Sequence, residues 1–189
     1  MQQFFSRVLI GYIFIIIDLN FWVDIVPDVI GYIIIARAIQ KYAKSKYNKT
    51  AVLLSYISGV ISIIEMPITY SAVEGLPSVV ILIYGFITSI IQLLFYYYIF
   101  GVFFSFVQDT PHVNFTQKVK HLLVGSLWFM ITLLYIYELT KNLFFGLLFV
   151  VACIGAVIGV ITFIVYCYKM MKYGELMKFQ EKQEQVEPS

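Results

Sequence analysis

The chain has 189 residues, of which 61% are hydrophobic and only 13% are charged, and its mean hydropathy is +0.87. Soluble globular chains carry roughly 45–50% apolar and about 25% charged residues. A soluble fold that hides this much apolar surface in a chain of this length is therefore excluded, and lipid must form part of the solvent.

A crossing helix needs about 20 mostly apolar residues. The first predicted span covers residues 4–21, with Arg7 at its start and Asp18 near its end. Its beginning looks superficially like a signal peptide, but no small-x-small cleavage site follows, so a retained span is expected. The second is placed at 25–42, with Arg37 and Lys41 reaching for headgroups. This run is short, and a shallow re-entrant hairpin stays open beside a full crossing. Lys41, Lys44, Lys46 and Lys49 fill a polar link. A third helix at 51–70 follows, with Asn48 or Thr50 as its N-cap and Pro67 in its last turn.

A turn at 74–78 opens the fourth span, 78–100. Its apolar run continues to Val107, longer than one crossing requires, so Gly101 is expected to bend it and lay 102–107 in the interface. Residues 108–120 read as a polar link, 121–137 as the fifth span, 138–142 as a tight turn and 143–166 as the sixth span. Residues 169–189 read as a charged, partly disordered tail in the form of a frayed helix, and no separate soluble domain is expected.

The fold class is thus all-α, a polytopic membrane bundle with six predicted transmembrane helices. With six crossings, every Lys and Arg except Lys141 falls on one side of the membrane. The positive-inside bias makes that side, with both termini, cytoplasmic. Asp18, Asp24, Asp28, Glu65, Glu74 and Glu138 then lie toward the outer face. Phe4, Tyr42, Tyr47, Tyr96 to Tyr98, Tyr166 and Tyr168 are expected in an inner aromatic belt.

Small residues at helical spacing mark close helix packing in lipid. Gly155 and Gly159 on the sixth span, and Ser55 and Gly59 on the third, are the candidates, either within the bundle or as a homodimer seam on the sixth span. Ile10-Gly11-Tyr12-Ile13 returns as Ile30-Gly31-Tyr32-Ile33, which in so narrow a residue alphabet is expected by chance. Cys153 and Cys167, on one helix about 21 Å apart at 1.5 Å per residue, read as unpaired thiols.

Catalytic signatures are missing: no His-x3-His, Cys-x2-Cys, Gly-rich phosphate loop or Gly-x-Ser-x-Gly elbow occurs in the chain. An enzyme, a cofactor, a metal site and a nucleic-acid partner are not expected. The one polar island lies between the first two spans, where Asp18, Asn20, Asp24 and Asp28 stand together, and Glu65 can join it from a serine-lined face of the third helix. These residues either cap helix ends or form an outward-facing cation or polar-substrate site.

Asp18-Leu-Asn20 followed by Asp24-Ile-Val-Pro27-Asp28-Val-Ile-Gly31-Tyr32 resembles the N-terminal signature of a group of small integral membrane proteins from Bacillus-like Gram-positive bacteria. The likeness covers about the first 40 residues. That group has no assigned activity, so the resemblance implies a bacterial plasma membrane and no reaction. The expected function is a non-enzymatic accessory or interaction protein of that membrane. Its partners would be the lipid bilayer and either another membrane protein or a second copy through the sixth span. The alternative is a small transporter or channel-like protein using the outer acidic stretch.

Overall fold

The computed structural model describes residues 1–16, 27–71 and 78–186, with side-chain detail for 1–16, 28–63, 80 and 82–177. The described residues form six helices: α1 (Gln2–Ile16), α2 (Pro27–Tyr42), α3 (Asn48–Ser71), α4 (Ser78–Val107), α5 (Val113–Thr140) and α6 (Leu143–Val186). Each helix packs on the next in sequence, and α6 returns to α1, so the elements close into a ring. Successive helices alternate in direction, as short connections require. Accordingly Arg7 of α1 lies over Tyr42 at the end of α2, Tyr47 before α3 meets Tyr98 of α4, and Phe115 of α5 meets Tyr166 of α6.

The helices are all-α as expected, but three of them, rather than six, are long and apolar enough to cross a membrane among the described residues. These are α4, α5 and α6. The described parts of α1 and α2 are 15 and 16 residues long, or about 23–24 Å at 1.5 Å per residue against a hydrocarbon core of about 30 Å. The end of α1 and the start of α2 adjoin residues 17–26, outside the described residues.

Several boundaries differ from expectation. Helix α4 runs unbroken through Gly101 to Val107, without the expected bend, and Val102, Phe103 and Val107 are fully buried within the bundle. Gly101 is where the Tyr47 ring seats; a Cβ there would stand 2.7 Å from that ring. Helix α5 begins at Val113, not His121, so Lys118 and Lys120 are helical. Helix α6 continues past the sixth span through Val186. The turn between α5 and α6 falls where it was predicted. Lys141 adopts φ 51, closing α5 with a left-handed residue, and the Phe144 N–H donates to Asn142 Oδ1 at 2.9 Å, capping α6.

The basic half of the ring is filled by aromatic rings. Phe4 and Phe5 of α1, Phe100 and Phe103 of α4, and Phe163 and Tyr166 of α6 are all essentially without solvent exposure. Ring centroids lie 5.2 Å apart for Phe5–Phe103, 5.7 Å for Phe100–Phe163 and 5.8 Å for Phe5–Tyr166, the range of favourable aromatic pairs. Phe4 and Tyr166 thus face the core of the bundle. At the same end stands a collar of cations over rings: Arg7 and Lys41 over Tyr42, Lys46 over Tyr47, Lys120 over Tyr97, and Lys172 over Tyr168.

Small residues decide how closely the backbones approach. A Cβ on Gly11 would meet the Gly31 carbonyl oxygen at 2.7 Å, and a Cβ on Gly31 would press on the Gly11 carbonyl oxygen. The repeated Ile-Gly-Tyr-Ile is therefore not an accident of composition. It places two glycines back to back where antiparallel α1 and α2 touch, and it turns Tyr12 and Tyr32, 1% and 4% exposed, into the bundle. On α6, Gly159 lies against Leu123 and Ser126 of α5, and Gly155 faces Ser126. On α3, Gly59 stands against Tyr32 and Val29 of α2, and Ser55 is fully buried.

Candidate functional site

Pro27 opens α2 and Asp28 lies in its first turn, where a proline needs no N–H partner and a carboxylate meets the positive end of the helix dipole. Asp28 is half-buried. Its charge bears on Tyr96 of α4, whose ring packs against Tyr12 of α1. The two tyrosine rings meet edge to face with centroids 6.0 Å apart. Phe163 closes on Tyr12 from α6 at 4.5 Å, and Phe95 closes on Tyr32 from α4 at 5.4 Å. The result is a carboxylate and hydroxyls drawn from α1, α2 and α4, walled by aromatic rings.

Two further hydroxyls lie inside the bundle on α3. Ser55 and Ser58 are 0% and 2% exposed, and neither Oγ has a hydrogen-bond partner among the described residues. One other buried hydroxyl pair is used as an inter-helix tie: Thr116 of α5 meets Tyr166 of α6 at 3.0 Å. Such a bond is worth about 0.6 kcal/mol on average within lipid, so it orients the helices more than it holds them.

Of the residues singled out in the sequence, Asp28 is the one whose side chain is seen in this cluster. Asp18, Asn20 and Asp24 lie outside the described residues, and for Glu65 only its place near the end of α3 is described. Sequence reasoning missed Tyr12, Tyr32 and Tyr96. The signal for the first two was the Gly-Tyr repeat; for Tyr96 there was none, because a tyrosine in a Tyr-Tyr-Tyr run reads equally well as interface.

A carboxylate beside tyrosine hydroxyls can hold a proton or a small cation, and it can equally tie three helices together. Among the described residues no three His, Cys, Asp or Glu side chains converge as a metal cage would require. Cys153 and Cys167 are both free thiols, as expected on one continuous helix. Compared with protein-family models, curated proteins and solved structures, the chain has no match.

Proposed function

We propose that the chain is a six-span protein of the bacterial plasma membrane, with its basic end and both termini in the cytoplasm. It acts there as a non-enzymatic accessory or interaction protein. The observation that carries this reading is the aromatic filling of the basic half. Rings from α1, α4 and α6 occupy the middle of the ring of helices, where a carrier would need a polar path. Surfaces for a partner then lie on the outside. The Gly155 and Gly159 face of α6 is already taken by α5, which leaves the opposite face for association through the sixth span. Val150, Ile154, Val157 and Ile161 follow helical spacing on that face, each more than half exposed. An apolar groove between α4 and α5, lined by Phe86, Trp128 and Tyr135, is a second such surface.

The rival reading, a small carrier, is favoured by Asp28 beside the Tyr12–Tyr96 pair. Reconstituted proteoliposomes separate the two. No proton or monovalent-cation flux above that of protein-free vesicles is expected, and a photoreactive residue at position 154 or 128 should give a discrete cross-linked species in living cells. Flux in the native protein that disappears in Asp28→Asn at equal protein content would replace the accessory reading with the carrier.

A further inference from the structure

We infer that the cytoplasmic end of the bundle carries a specific site for one anionic phospholipid, in the cleft between α1 and the end of α2. The cleft is open to the surface, has a volume of about 580 Å³, and its lining includes Gln3, Ser6, Arg7 and Ile10 of α1, Lys41 and Tyr42 of α2, and Met171 of α6. Arg7 and Lys41 come from different helices, yet both stand over one ring. The Arg7 guanidinium and the Lys41 ammonium are each 5.4 Å from the centroid of Tyr42. Neither has a carboxylate partner among the described residues, where the one ion pair is Lys141 with Glu138 at the opposite end. Two uncompensated cations converging on one cleft call for an anion. A guanidinium fork matches the two free oxygens of a phosphodiester, with the ammonium as a second point charge. The Ser6 hydroxyl and the Gln3 amide add donors on the same rim.

The source of the phosphate follows from what continues below the cations. Ile10 lines the cleft and is 45% exposed, and Ile13 and Phe14, one turn farther along α1, are 38% and 40% exposed. That stripe runs from the charged rim toward the middle of the membrane, the track an acyl chain takes below its headgroup. A soluble phosphate would use the rim and leave the stripe without a role. The ligand is therefore a diacyl lipid with a single anionic phosphodiester headgroup.

The test uses the full-length protein in detergent, titrated with phosphatidylglycerol, with phosphatidylcholine and with glycerol 3-phosphate. Phosphatidylglycerol should bind in preference to phosphatidylcholine, and glycerol 3-phosphate at equal concentration should not displace it. Arg7→Gln with Lys41→Gln should weaken phosphatidylglycerol binding by about tenfold or more, given what each basic residue near a membrane surface contributes. Lys44→Gln with Lys118→Gln removes two exposed cations of the same end outside the cleft and should leave the affinity nearly unchanged. Arg7→Lys with Lys41→Arg, which keeps the charge, should retain binding. Should the neutral pair fail to fold, a fluorophore on Gln3→Cys decides the question. Phosphatidylglycerol with nitroxide-labelled chains should quench it more strongly than the matched phosphatidylcholine. Equal losses in the two neutral pairs would overturn the site, as would equal quenching by the two lipids or displacement by glycerol 3-phosphate.

Discussion

Gly11 and Gly31 set the distance between α1 and α2, because each backbone carbonyl occupies the space a side chain on the other would need. A backbone oxygen cannot swing aside as a side chain can, so Gly31→Ala must push the helices apart. The expected cost is about 1–3 kcal/mol, the usual range for overpacking, read as a lower unfolding midpoint in detergent. Gly125→Ala is the control: a Cβ there meets nothing within 4 Å, and its midpoint should not fall. The repeat that contains these glycines was visible in the sequence, but its meaning was not. Spacing assigns a residue to a face of its own helix and says nothing of what lies opposite. For the same reason Asp28 stood out as a carboxylate among apolar residues, while its nearness to Tyr96 depended on α4, more than 60 positions along the chain.

At the scale of the elements, long apolar helices and the turn before α6 were legible, because length, hydropathy and turn residues are local. What covers an apolar face was not. In lipid, a phenylalanine facing acyl chains and one facing another helix satisfy the same preference, so the burial of Phe4 and Tyr166 between helices could not be read from the sequence. The bend expected at Gly101 failed on related grounds, since a 30-residue helix exceeds a bilayer crossing only if it stands upright and ends at the headgroups. Truncation tells the two situations apart. Phe103→Ala empties space among Phe4, Phe5, Phe100 and Phe163. It should destabilise the bundle by about 1–3 kcal/mol, below the roughly 3–5 kcal/mol of a water-soluble core, because separated helices in lipid still keep the ring in apolar surroundings. Val157→Ala, on the exposed face of α6, should change the unfolding midpoint by under about 0.5 kcal/mol equivalent.

The whole molecule is polarised. Aromatic rings and the collar of cations gather at the end holding the start of α1, α3 and α5 and the far part of α2, α4 and α6, whereas Lys141 and Glu138 mark the other end. That polarity needs both helix alternation and the closure of α6 on α1, where Gly174 packs against Gln2. It makes the orientation testable in a cysteine-free background carrying Cys153→Ser and Cys167→Ala. The decisive measurement is the labelling of single cysteines at the two ends by a membrane-impermeant maleimide in intact cells. Asn142→Cys should be labelled from outside, and Lys46→Cys only after the membrane is permeabilised. Labelling of Lys46→Cys in intact cells, with Asn142→Cys protected, would contradict the six-span orientation.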